Sequence, residues 1–184
     1  MPKNHRRAIV SRLRNQPWMI TAEALSGIAE LLEEYTPEAV EGKTLLMSTH
    51  NGPASVARCD GAKEILLASL VNLNAVVERV AKEEEWVVLC AARNGRFALE
   101  DALCAGAIVG GLRNRRLPLT LGDAGRSAEF LFRSAGVDLP AILRGTEAGK
   151  ALVEQGMERD LELCSRIDTV PVVPVVVDGR IQKP

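Results

Sequence analysis

The stretch that decides the fold spans residues 86–108 and reads WVVLCAARNGRFALEDALCAGAI. Its first part, residues 86–91, is a short apolar run of the kind that forms a buried β-strand. A polar turn follows, and from residue 98 to residue 112 apolar side chains cover nearly every face of a predicted helix, which we therefore expect to be buried. A strand that leads through a tight turn into a buried helix favours an α/β fold built from parallel strands.

The same alternation of apolar runs and amphipathic stretches continues on both sides of this segment. Strands are predicted at residues 43–49 and 64–70, and the β-branched run 170–177 is predicted as an edge strand because Pro171 and Pro174 interrupt it. Helices are predicted at residues 54–59, 74–82, 123–135, 146–155 and 157–167, and a short turn at 139–143. The predicted fold class is α/β: a three-layer, mostly parallel sheet flanked by helices, with a helical second half and a carboxyl-terminal edge strand.

Composition and charge narrow the classes of function. The 184 residues are 47% hydrophobic and 26% charged, which is ordinary for one globular domain and excludes collagen-like, coiled-coil and disordered proteins. A net charge of −1 and few aromatic residues argue against a nucleic-acid partner. The longest apolar runs are about half of the roughly 20 residues that a membrane-spanning helix needs, so we expect no membrane partner.

The four cysteines are Cys59, Cys90, Cys104 and Cys164. Their spacing matches neither a zinc site nor a redox C-x-x-C motif. No secretory leader is recognisable ahead of the apolar runs, which predicts reduced, buried thiols and a cytoplasmic location.

The topology indicates where chemistry can take place. In an open α/β sheet, ligands bind beyond the carboxyl ends of the strands, where helix N-termini present unpaired N–H groups. The loops at residues 49–55, 70–74 and 92–97 are the candidates on this argument.

The third of these loops carries the strongest signal. Gly95 permits a tight turn, and Arg93 and Arg96 can bind an anion. Glu100 and Asp101, in the first turn of the following helix, can hold a hard cation through oxygen, so phosphate together with Mg²⁺ fits this set. On the alternative interpretation the two acids only complement the helix dipole and the arginines are solvated.

The other two loops offer weaker candidates. His50 can act as a general acid or bind an anion, because imidazole titrates near neutral pH. Asn51 and Gly52 can contact a substrate, but they are also an ordinary turn dipeptide, and Pro53 suits a first helical turn. Asn72 is a candidate for substrate binding, with helix capping as the alternative.

Several short motifs, taken in chain order, resemble the 2-phosphosulfolactate phosphatase family. They are YTPE from Tyr35, GKT from Gly42, THNG from Thr49, SLVN from Ser69, FALEDALCAG from Phe97, LGDA from Leu121, and the stretch from Gly149 to Gly156. The resemblance covers residues 33–173. It implies an α/β fold, Mg²⁺ dependence, and hydrolysis of a small anionic phosphate ester, 2-phospho-3-sulfolactate, to 3-sulfolactate and phosphate on the route to coenzyme M.

The resemblance and the residues together predict a role for each candidate. Glu100, Asp101 and His50 are predicted to be catalytic, and the two acids are predicted to hold the metal. The predicted substrate-binding residues are Asn51, Gly52, Asn72, Arg93, Gly95 and Arg96.

The sequence also departs from the family pattern. The family has a longer segment, with a first strand, where this sequence has residues 1–34, so we predict an atypical amino-terminal segment at 1–34 and a phosphatase-like α/β domain at 35–184. Pro53 stands where the family favours threonine, Ala92 where it has glycine, and Ala148 where it has histidine. These departures motivate a second hypothesis: a catalytically silent, shortened relative that acts as a ligand-binding or interaction protein.

A missing central strand has a structural consequence. It would expose unpaired N–H and C=O groups along the sheet. A homodimer can cover them, and so can a helix formed by residues 21–34.

Overall fold

The computed structural model describes residues 19–22, 41, 51–136 and 138–183. Within them lie five strands: β1 Met19–Ala22, β2 Ile65–Ala68, β3 Val87–Cys90, β4 Val175–Val177 and β5 Arg180–Gln182. The helices are α1 Gly52–Arg58, α2 Leu73–Val80, α3 Leu99–Asn114, α4 Asp123–Ala135, α5 Leu139–Gly145, α6 Glu147–Glu154 and α7 Glu158–Ser165, and a 3₁₀ turn Leu70–Asn72 precedes α2. The predicted α/β class is confirmed.

The described strands form one mixed sheet in the order β3-β1-β2-β4-β5. β1 is parallel to both β2 and β3, whereas β4 is antiparallel to β2 and β5 is antiparallel to β4. The prediction of a mostly parallel, three-layer arrangement is therefore not confirmed. The β4–β5 hairpin arises because Asp178 and Gly179 both have positive φ, 49° and 72°, which makes a tight turn that returns the chain beside β4.

The predicted carboxyl-terminal edge strand at residues 170–177 is wrong in length and position. Only Val175–Val177 is a strand, and it lies between β2 and β5. Pro171 and Pro174 precede it and have no N–H to donate to a neighbouring strand. The outer position among the described strands belongs to β5.

The amino-terminal segment contributes to the middle of this sheet. Ala22 of β1 is in register with Ala68 of β2 on one side and with Cys90 of β3 on the other. The predicted helix at residues 21–34 is thus wrong at its first two residues, which belong to β1. The rest of this predicted helix and the predicted strand at 43–49 lie outside the described residues. The homodimer and the division of the chain at residue 34 stay predictions.

Helix α3 is buried along most of its length, as predicted, because elements pack on opposite sides of it. A Cβ atom added to Gly106 would lie 2.0 Å from the carbonyl oxygen of Ala128 in α4, so only glycine allows the two helices to approach this closely. On the α2 side, a Cβ atom at Gly111 would lie 2.7 Å from Val77. The core continues from α3 through Leu66 and its buried apolar neighbours.

An ion pair also joins α3 to α4. Arg113 donates from two nitrogens to the two carboxylate oxygens of Glu129, with Nη2 and Oε2 2.9 Å apart. This hydrogen bonding, together with the charge of Arg113, holds the pKa of Glu129 below its ordinary value against the opposing effect of burial.

All four cysteines are free thiols, as predicted: Cys59 and Cys104 are buried, and Cys90 and Cys164 are half-buried. Burial raises the pKa of Cys90 to about 11, with a further contribution from the nearby Asp101 carboxylate. Among the described helices, none has both the length and the apolar character needed to cross a membrane.

Candidate active site at the carboxyl ends of the parallel strands

The register of the three parallel strands brings the candidate loops to one edge of the sheet. Ala22, Ala68 and Cys90 are paired across the sheet, so the segments that follow β2 and β3 leave it at the same edge. The segment after β2 is the 3₁₀ turn, and the segment after β3 leads to α3. The structure therefore places two of the three predicted loops where α/β proteins bind ligands.

The loop after β3 contains the predicted tight turn. The N–H of Arg93 donates to the carbonyl oxygen of Arg96 at 3.0 Å, and the N–H of Arg96 returns a bond at 2.9 Å. Between them, Asn94 and Gly95 have φ values of 51° and 74°, which is the conformation of a two-residue hairpin turn and the reason for its Asn-Gly sequence. We call residues 93–96 the arginine hairpin.

The arginine hairpin is suited to binding an anion. Arg93 and Arg96 are directly opposite one another in an antiparallel pair, so their side chains leave the hairpin on the same face. Arg93 is half-buried and Arg96 is exposed. Nη2 of Arg96 lies 3.3 Å from Oε2 of Glu147, at the start of α6.

The two predicted acids are both buried at the beginning of α3. Glu100 is 5% exposed and Asp101 is 3% exposed. Consecutive residues of a helix project about 100° apart, so the two carboxylates point in different directions. Asp101 Oδ2 accepts a hydrogen bond of 2.7 Å from the N–H of Ala92, whereas the Glu100 carboxylate has no hydrogen-bond or ion-pair partner within the described residues.

A buried carboxylate without a partner is costly unless something neutralises it, and this observation bears on the metal. Oxygen ligands of this kind suit Mg²⁺, which proteins commonly bind through one or two carboxylates together with substrate phosphate oxygens. No cluster of three or more His, Cys, Asp or Glu side chains able to hold a metal occurs in the part of the chain that the structure describes. The residues present fit a magnesium ion shared with a substrate, not one enclosed by protein ligands alone.

The loop ahead of α1 contacts the arginine hairpin. Asn51 Oδ1 accepts a hydrogen bond of 3.2 Å from the N–H of Asn94. Gly52 and Pro53 form the first turn of α1, as the sequence predicts for this proline. His50 lies outside the described residues, so its predicted role stays a prediction.

Asn72 has a structural role in the loop after β2. Its Oδ1 accepts from the N–H of Ser69 at 2.8 Å, and its Nδ2 donates to the carbonyl oxygens of Leu67 and Val172 at 3.1 and 2.8 Å. These bonds occupy both ends of the amide. The geometry favours the capping alternative over substrate binding for Asn72.

Sequence reasoning missed two residues beside the site. Ser55 Oγ donates to the carbonyl oxygen of Ala91 at 3.3 Å, across 36 positions of sequence. Glu147 pairs with Arg96 across 51 positions. Neither residue belongs to a local motif, and only the folded chain shows what it contacts.

The fold and these residues define an α/β protein whose candidate anion and cation ligands lie in consecutive segments, a hairpin and a helix start, where a parallel strand leads into a buried helix. The model of the 2-phosphosulpholactate phosphatase family matches residues 30–179, and the chain belongs to this family. The resemblance noted in the sequence is thus confirmed. The matched range includes the arginine hairpin and both buried acids.

Curated relatives agree with this assignment. The chain is 39% identical over 146 residues to a probable 2-phosphosulfolactate phosphatase of Thermotoga petrophila, which covers 79% of this chain and 62% of that protein. A protein of the same name from Thermotoga maritima is 38% identical with the same coverage, and one from Symbiobacterium thermophilum is 35% identical, covering 80% of this chain and 64% of its own length. The chain therefore spans less than two thirds of the length of these relatives.

Proposed function

We propose that this protein is a magnesium-dependent phosphatase that hydrolyses 2-phospho-3-sulfolactate to 3-sulfolactate and phosphate in the cytoplasm, a reaction on the route to coenzyme M. Membership of the family and the names of the curated relatives support the reaction class. The observation that carries the proposal is the buried Glu100 carboxylate, which has no partner among the residues that the structure describes and lies at the start of the helix that follows the arginine hairpin. This arrangement provides for a cation and an anion together.

The substrate phosphate is bound by the arginine hairpin and by the start of α3. Arg93 and Arg96 donate to phosphoryl oxygens and stabilise the charge that develops on them. Ala98, at the N-cap position of α3, has no side-chain oxygen to accept from the first helical N–H groups, so these groups can donate to the phosphate. Asn51 and Gly52 contact the substrate from the opposite loop.

The acids and His50 complete the proposed machinery. Glu100 would hold Mg²⁺ together with substrate phosphate oxygens. Asp101 points in another direction, accepts the N–H of Ala92 and is not proposed as a ligand of the same ion. When bound, Mg²⁺ supplies Lewis-acid stabilisation of the phosphoryl oxygens. A water molecule attacks the phosphorus as the P–O bond to the ester oxygen breaks. His50 gives a proton to that leaving oxygen, and the proton released by the water passes to solvent, from which His50 is reprotonated.

The experiment that tests this proposal is phosphate release from 2-phospho-3-sulfolactate, measured with and without Mg²⁺. We expect turnover that requires the metal and falls by at least about 100-fold in Glu100→Gln, since that change removes a charged group from the transition state. Glu158→Gln is the matched control, because Glu158 is also an acid in the first turn of a helix but lies in α7, away from the hairpin. Metal-independent turnover, or equal losses in the two variants, would contradict the proposal.

Calorimetric titration separates the second hypothesis. Binding of 3-sulfolactate and Mg²⁺ without any phosphate release would support a catalytically silent relative in place of an enzyme. Turnover would exclude that alternative.

A further inference from the structure

The peptide group that joins Ala91 to Ala92 is held by side chains at both of its polar atoms. Its carbonyl oxygen, on Ala91, accepts the hydroxyl hydrogen of Ser55 at 3.3 Å. Its N–H, on Ala92, donates to Asp101 Oδ2 at 2.7 Å. The C=O and N–H of a trans peptide point in opposite directions, so α1 holds this peptide from one side and α3 from the other.

Both side chains that hold the peptide are buried. Ser55 is 1% exposed and Asp101 is 3% exposed. Water therefore has little access to replace either bond, and the loss of one partner would leave a buried backbone group unsatisfied. These bonds can hold a backbone conformation that is unfavourable by itself.

The conformation that they hold is strained. Ala92 has a φ of 67°, in the left-handed region that residues with a Cβ atom disfavour. Rotation of the Ala91–Ala92 peptide plane by half a turn would bring φ of Ala92 to a negative, allowed value, and it would break both bonds at once. Ser55 and Asp101 thus oppose the rotation that the backbone itself favours.

This peptide immediately precedes the arginine hairpin, so its orientation sets the direction in which the hairpin leaves β3. Asn51, which directly precedes α1, contacts the hairpin itself by accepting the N–H of Asn94. Without the two bonds that hold the peptide, φ of Ala92 is free to relax, and a change in this angle alone would swing the following residues, Arg93 included, away from this contact and from the start of α3.

We propose that Ser55 is a positioning residue of the phosphate-binding site. It touches no substrate; it holds the Ala91–Ala92 peptide against rotation, and the arginine hairpin then presents Arg93 and Arg96 in the orientation that binds a phosphate group. The inference rests on the proposed function, since it assumes that the hairpin binds phosphate.

The test is the affinity of the full chain for inorganic phosphate, measured by calorimetry in the presence of Mg²⁺. We expect Ser55→Ala to bind phosphate about 10-fold more weakly, as is typical when the support of a binding group is removed. Ser165→Ala is the matched control. Ser165 is also buried, at 9% exposure, and its Oγ donates to the carbonyl oxygen of Glu162 at 2.8 Å, but it lies at the end of α7. The control should bind phosphate like the wild type.

A second pair of variants separates positioning from packing. Ser55→Thr and Ser55→Val add the same volume to this buried site, but only the threonine keeps a hydroxyl donor. We expect the threonine variant to bind phosphate more tightly than the valine variant and to protect the Ala92 amide better from hydrogen exchange. Equal phosphate affinity in these two variants would overturn the inference, as would wild-type affinity in Ser55→Ala or a wild-type chain that binds no phosphate.

The experiments distinguish failure of the proposed function from failure of the inference about Ser55. If the wild type binds phosphate, and Ser55→Ala weakens that binding, but 2-phospho-3-sulfolactate is not hydrolysed, then the inference holds and the proposed reaction does not.

Discussion

Replacement of Ala92 by glycine tests the strain beside the candidate site. A left-handed conformation costs a residue with a Cβ atom about 1–2 kcal/mol, and Ala92 has a φ of 67°. Glycine removes this cost but makes the unfolded chain more flexible, which costs about 0.4–1 kcal/mol. The midpoints of these two ranges, about 1.5 and about 0.7 kcal/mol, predict that Ala92→Gly raises the free energy of unfolding by about 0.8 kcal/mol, which for a protein of this size raises Tm by about 2–3 °C.

Urea denaturation and thermal unfolding measure this effect. The matched control is Ala91→Gly, because Ala91 is the preceding residue, is buried, and does not have a positive φ. We expect this control to lower the free energy of unfolding by about 1 kcal/mol, since it adds chain flexibility and relieves no strain. If Ala92→Gly destabilises the protein as much as Ala91→Gly does, the strain argument is refuted.

Three further predictions concern the scaffold. Glu129→Gln should destabilise the protein at neutral pH, where the ion pair that lowers the pKa of Glu129 stabilises the fold fully. The difference in the free energy of unfolding from wild type should shrink as the pH falls below about 4.3, because the carboxyl group of the unfolded chain is protonated first. Urea titrations from pH 3 to pH 7 that show a constant difference would contradict this. Gly106→Ala should lower the free energy of unfolding by about 1–3 kcal/mol, because the added Cβ atom would lie 2.0 Å from the carbonyl oxygen of Ala128. The control Gly110→Ala should not lower it, because the nearest atom to its added Cβ would be 4.0 Å away. Equal effects of the two changes in chemical denaturation would disprove the close contact between α3 and α4. Burial raises the pKa of Cys90 to about 11, so this thiol should react with iodoacetamide at pH 8 far more slowly than a thiol in an unfolded peptide. Equal reaction rates, measured by mass spectrometry, would contradict the burial of the Cys90 thiol.

Much of the helical part of the fold could be predicted from the sequence. The predicted helix at residues 123–135 has the same bounds as α4, and the predicted buried helix at 98–112 corresponds to α3, Leu99–Asn114. These elements were predictable because their apolar spacing and their terminal residues are local signals. The same is true of the tight turn at Asn94 and Gly95, whose sequence favours its backbone conformation.

The sheet was harder to predict, because strand pairing is not local. Met19–Ala22 is only four residues long and has no distinctive pattern, yet it pairs with β2 and β3 in the middle of the described sheet. The position of β4 depends on its pairing with Leu66 of β2, and no property of residues 170–177 indicates that partner. The antiparallel part of the sheet was missed for this reason.

The candidate site was predictable in its residues but not in its connections. Arg93, Arg96 and Glu100 could be proposed as candidates because they stand in a turn and a helix start that the sequence shows directly. Ser55 was missed because it acts on Ala91, a backbone group that is distant in sequence. For Asn72 the residue type allowed two roles, and only the hydrogen bonds to Leu67 and other backbone groups favour capping.

The central claim is that the buried Glu100 carboxylate holds Mg²⁺, and calorimetric titration of the metal tests it most directly. We expect the wild type and Glu158→Gln to bind Mg²⁺ alike in the presence of inorganic phosphate, and Glu100→Gln to lose at least about 10-fold in affinity, because a charged oxygen ligand is replaced by a neutral one. Undiminished Mg²⁺ binding by Glu100→Gln would contradict the account.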